Sequence, residues 1–205
     1  MAWLVGWNLF LAALPIPLGF ALAQRLEMRS GTTARRAVTL AIAAAWILLL
    51  PNAPYLLTEV RHLLFDPPWN DLLHDASPAS RRALLVWGFA FFLYGAVGLA
   101  AFTAALRPVE SALRARWPAL RRLRAPFFFV IALGVWLGLI PRWNSWDVLV
   151  DPVGILGSAL HALSTPATLA CIAAFAMVLC GLHYLLAAAW LGWRAARVPE
   201  PARST

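Results

Sequence analysis

The sequence predicts an all-α fold: a polytopic transmembrane helical bundle of about five spans, built as one integral membrane domain over residues 1–205. Hydrophobic residues make up 62% of the chain and charged residues 13%, with a mean hydropathy of +0.73. Soluble domains are nearer ~45–50% apolar. Five stretches also reach the roughly 17–25 mostly apolar residues that a helix needs to cross a bilayer: 3–23, 37–57, 83–106, 125–141 and 166–191. The arginines lie between these stretches in an uneven pattern, which orients them.

The first stretch ends in Ala21, Leu22 and Ala23, which resembles a signal-peptidase site. A leader needs a basic segment before its apolar core, whereas here the arginines follow it, so a retained span is expected. The second, 37–57, runs into Pro51 and Pro54. Each lacks an amide donor and crowds a carbonyl one turn back, so a break is expected. In the third, 83–106, Gly95 and Gly98 should let a neighbouring helix approach closely. The fourth, 125–141, is the shortest. Residues 152–163 are apolar but too few to cross, and are expected to be interfacial or re-entrant. In the fifth, Cys171 and Cys180 are nine residues apart, on opposite helix faces and about 13 Å apart along the axis, so they cannot bridge. Seven tryptophans, at 3, 7, 87, 143, 146, 190 and 193, fall near span ends as an interfacial belt requires.

All 17 basic residues are Arg. Thirteen follow the first, third and fifth spans, and four (Arg61, Arg81, Arg82 and Arg142) fall on the other side. By the positive-inside rule the N-terminus is outside and the C-terminus cytoplasmic. A net charge of +8 on a soluble protein would suggest nucleic acid. Here the charge flanks apolar spans, so the expected partner is the lipid bilayer and not nucleic acid.

Two polar strings, 51–62 and 141–147, then emerge on the same outer side. In the first, Asn52, Tyr55, Glu59 and His62 are spaced 3, 4 and 3, a single stripe on a helix with Thr58 beside it. Glu59 and His62, with Asp71 and His74 repeating the carboxylate-x-x-His spacing, are candidate ligands for a divalent metal, against the plainer reading of a hydrogen-bonded pair. In the second, Arg142 is suited to clamp a phosphate or carboxylate. Asn144 and Asp147 have the spacing of a helix-capping box. A histidine inside a span is costly and a functional candidate by default. His183, toward the cytoplasmic end, has the simpler alternative of reaching the interface.

At WNLFLA (7–12), LPNAPYLLTEVRHL (50–63), PWND (68–71) and RWNSWD (142–147) the chain resembles a bacterial membrane family, domain of unknown function 1361. The resemblance spans the whole chain and implies a bacterial inner-membrane location. The family pattern usually has Asp in place of Glu59, which keeps the carboxylate, and Tyr in place of Asn70. It implies the architecture and marks residues without naming a chemistry.

Three function classes follow. One is a membrane-embedded hydrolase or transferase acting on lipid or envelope substrates. Glu59, His62 and Asp71 would then be its catalytic or metal-binding groups, and Asn52, Tyr55, Thr58, Arg142, Asn144 and Asp147 its substrate contacts. The second is a non-catalytic accessory or structural subunit. The third is a small transporter, which should carry polar residues through the bilayer.

Overall fold

The computed structural model describes residues 2–28, 32–65, 69–75 and 77–195. Among the described residues every regular element is helical, and five helices are long and apolar enough to cross a membrane: Trp3–Glu27, Thr33–Phe65, Pro78–Arg116, Pro118–Leu139 and Pro166–Trp193.

The first span is α1 (Ala2–Ala13) followed by α2 (Pro15–Glu27). They part at Leu14 because Pro15 and Pro17 cannot donate back to the α1 ladder. The second span is α3 (Thr33–Leu49), α4 (Asn52–Tyr55), a 3₁₀ segment (Leu56–Val60) and α5 (Arg61–Phe65). A short α6 (Trp69–His74) leads to α7 (Pro78–Arg116). A 3₁₀ segment (Pro118–Leu123) precedes α8 (Arg124–Leu139), and α9 (Pro152–Ser164) and α10 (Pro166–Ala195) complete the chain.

The third span is longer at both ends than residues 83–106. Its start is fixed by Ser77, whose Oγ accepts from the Ser80 amide at 3.2 Å as an N-cap. Asp75 accepts from the Ser77 amide and from the Ser77 and Ser80 hydroxyls. These hydrogen bonds hold the Asp75 carboxyl below the usual carboxylate range, the Ser80 hydroxyl contributing most. At the other end, Glu110 and Arg114 pair one turn apart at 3.0 Å and carry the helix past Leu106.

Helix α7 is the central element. Gly95, Gly98, Phe102, Ala105, Val109 and Ala112 are buried at spacings of three and four, while Leu85, Phe89 and Phe92 form an outward stripe, Phe92 at 72% exposure. In water such a stripe would be an aggregation patch; against acyl chains it is the expected surface. Gly19 of α2 lies directly on the Ala105 carbonyl, and an added Cβ would collide with it. At Gly98 an added Cβ would be 2.5 Å from the Ala53 carbonyl oxygen and 2.7 Å from the Leu56 Cβ. Gly95 and Gly98 therefore allow the close packing expected of them, and what they admit is the broken end of the second span.

At the other end of α7, His183 does not reach the interface. It is 0% exposed, with Nδ1 3.2 Å from Thr103 Oγ1 and Nε2 3.4 Å from Glu110 Oε2. Tyr184 donates to Glu110 Oε1 at 2.6 Å. Phe102 and Phe128 flank the imidazole at 5.7 Å. A buried imidazole needs such partners, and this cluster ties α7, α8 and α10 together. The remaining apolar piece, α9, is 13 residues, about 20 Å, and packs on α8 and α10.

Candidate functional site

The break in the second span builds the site. Pro51 has no amide to offer, and the Ala53 amide turns to the Leu50 carbonyl at 3.2 Å. That leaves the Leu49 carbonyl without its usual i+4 donor. Asn52 Nδ2 supplies one at 2.9 Å and also donates to Ser145 Oγ at 2.9 Å. One side chain thus repairs the kink and joins it to the loop after α8. Gly134 of α8 allows the approach, since a Cβ there would meet the Pro51 ring at 2.6 Å.

The chain after the kink is 3₁₀, where residues three apart nearly eclipse. Glu59 Oε2 and His62 Nε2 lie 3.4 Å apart, with side-chain exposures of 15% and 30%. The Thr58 hydroxyl instead donates back to the Tyr55 carbonyl at 2.7 Å.

The loop after α8 is held in an unusual backbone. Pro141 ends the helix, the Trp143 amide reaches back to the Leu137 carbonyl at 3.0 Å, and Arg142 between them has φ of 62°. This is the left-handed region, which costs a non-glycine residue about 1–2 kcal/mol. Asp147 accepts from the Asn144 amide at 2.7 Å and from Asn144 Nδ2 at 3.1 Å. The capping-box spacing is therefore used, with the carboxylate satisfying the loop amide. Trp143 Nε1 donates to Ser158 Oγ at 3.0 Å, anchoring the loop to α9.

The two polar strings meet in one cleft of about 500 Å³. Asn52, Tyr55, Glu59 and His62 line it from one side, and Arg142 and Asn144 from the other. The Arg142 guanidinium is exposed in the cleft, and among the described residues no carboxylate or carbonyl holds it.

Other expected residues are elsewhere. Thr58 and Asp147 are not among the lining residues. Asp71 and His74 are exposed on α6, also outside the lining. Among the described residues no three His, Cys, Asp or Glu side chains are gathered so as to hold a metal ion. The four metal candidates therefore do not form one site, and Glu59–His62 stands as a pair.

The cleft also contains groups that spacing did not single out: Asn8, Arg61 and Ser145, with Trp7 and Trp146 in edge-to-face contact at 6.5 Å. Arg61 Nε is buried and has no hydrogen-bond partner among the described residues. Trp7 and Asn8 belong to WNLFLA, and Ser145 and Trp146 to RWNSWD, so the short motifs carried that signal and the periodicity did not.

Fold and cleft define a class: a polytopic helical membrane protein with a mixed-charge polar cleft at one end of its bundle. Residues 7–182 match the model of the family described as "Protein of unknown function (DUF1361)", and the chain belongs to that family. No curated protein matches it. No solved structure matches it.

Proposed function

We propose that the protein is a bacterial inner-membrane hydrolase or transferase acting on an anionic lipid or envelope substrate, with the N-terminus and the cleft outside and the C-terminus cytoplasmic. The observation that carries this reading is the shared cleft, where a Glu–His pair in contact at 3.4 Å faces the unpaired guanidinium of Arg142. Such a set can hold an anion and move a proton beside it. Arg142 and Arg61 bind the anionic group, Arg142 through its planar fork. Glu59 takes the proton of the attacking water or hydroxyl, and His62 returns one to the leaving group. Trp7, Trp143 and Trp146 suit the apolar part of an amphiphile.

The transporter reading has less behind it. Between the cleft and the His183 cluster, α7 presents Gly98 and Phe102, packed against Leu56 and Phe128, so the intervening core is apolar. The accessory-subunit reading predicts a cleft without turnover.

The test is to incubate the protein in liposomes with a bacterial lipid extract and follow all lipid species by mass spectrometry. Wild type should convert at least one species, and folded Glu59→Gln and His62→Ala proteins should not. Conversion that survives both substitutions would refute the assignment.

A further inference from the structure

At the opposite, arginine-rich end of the bundle a second cavity opens between α7, α8 and the 3₁₀ segment joining them. Its volume is about 200 Å³. The lining is chiefly apolar, including Trp46, Leu106, Val109, Leu113 and Phe127, and its charged groups are Glu110, Arg114, Arg121 and Arg124. These charges are not equivalent. Glu110 is engaged by Arg114, Tyr184 and His183, so it neutralises Arg114 and leaves the cavity's positive character to the other two. Arg124 lies over the Tyr184 ring at 5.4 Å, and among the described residues no acceptor holds its guanidinium. Arg121 is exposed, and among the described residues no acceptor holds its guanidinium. The buried His183 cluster packs against Phe102 of α7 and Phe128 of α8, and so ties together two of the walls of the cavity.

We propose that this cavity binds an anionic phospholipid of the surrounding leaflet. Its phosphate lies between Arg121 and Arg124 and the start of one acyl chain fills the apolar slot. Two adjacent cations above an apolar slot between helices match an anionic headgroup joined to a tail. They match neither a zwitterionic lipid nor a free anion, which would leave the slot empty. This site is independent of the outer cleft.

The experiment uses full-length protein in a neutral maltoside detergent and reads the thermal shift produced by dioleoylphosphatidylglycerol. Dioleoylphosphatidylcholine and glycerol 3-phosphate are the comparison arms. Phosphatidylglycerol should raise the melting temperature, and the other two should not. Arg121→Gln with Arg124→Gln should weaken that response roughly 30-fold in lipid concentration. Leu113→Trp, which fills the slot and keeps both arginines, should reduce it to the level of the double arginine variant. Arg36→Gln, which removes an exposed arginine outside both the cavity and the cleft, should retain it. Should the double variant melt too early to compare, Arg121→Gln alone, at an exposed position, should still shift the titration several-fold. Equal response to both lipids, a full response to glycerol 3-phosphate, or an undiminished response in the arginine variants would each overturn the proposal.

Discussion

Replacing Arg142 by glycine separates what its backbone needs from what its side chain does. At φ of 62° the arginine costs about 1–2 kcal/mol relative to a residue without Cβ. Glycine removes that strain but frees the unfolded chain, returning about 0.4–1 kcal/mol. The net effect on stability is between about 0 and +1.5 kcal/mol, or a melting temperature unchanged or higher by up to about 5 °C for a chain of this size. No other residue depends on the guanidinium, because among the described residues it has no partner. For a bound anion, however, the loss is a charge-assisted hydrogen bond, about 1.5–3 kcal/mol or roughly ten- to a hundredfold. The assay is lipid conversion at low substrate, with melting measured on the same sample. Arg142→Gly should be as stable as wild type and at least tenfold slower, and Arg142→Lys should also be impaired because a point charge replaces the fork. A glycine variant that keeps its rate, or one that loses stability in step with rate, would refute this reasoning.

Other outcomes follow from the same geometry. Gly98→Val should disrupt packing of α7 on the kink, costing about 1–3 kcal/mol or more through overpacking, seen as lower melting and poor recovery of folded protein. Glu110→Ala should cost about 2–4 kcal/mol, since it leaves His183, Tyr184 and Arg114 without their acceptor. Melting should fall even though the cleft at the other end of the bundle is untouched. Asp75 has a depressed pKa, so its support of the α7 start is complete above the ordinary carboxylate pKa of about 4 and is lost as pH falls through its lower folded value. Hydrogen exchange at the Ser80 amide should therefore be increasingly protected as pH rises through that window, after correction for intrinsic rates, and Asp75→Asn should remove the dependence.

The five spans were legible because bilayer thickness imposes a length and composition that hydropathy detects directly. Their ends were less so. The third span continues to Arg116 because Glu110 and Arg114 pair along the helix, a polar contact that a hydropathy window counts as an interruption. The partnership of the two polar strings could be argued from burial cost alone, and the Asn52–Ser145 bond supplies its detail. Asn8, Arg61 and Ser145 escaped the spacing argument, although the short motifs contain them, because each acquires its role only where three spans converge. His183 shows the same limit: Thr103 and Glu110, its hydrogen-bond partners, are 80 and 73 residues away, so no local pattern announces them. The left-handed backbone at Arg142 had no sequence signal, because such positions usually carry glycine or asparagine.

The central claim, one outward cleft built from both polar strings, is most directly tested by paired cysteines at Asn52 and Ser145 after Cys171 and Cys180 are replaced. The native side chains touch at 2.9 Å, so a short, charged, membrane-impermeant bifunctional thiol reagent applied to intact cells should join the pair in high yield. A control pair at Asn52 and Arg116 should remain unjoined. Reaction of positions 52 and 145 only after the membrane is opened, or modification of both from outside without cross-linking, would contradict the account.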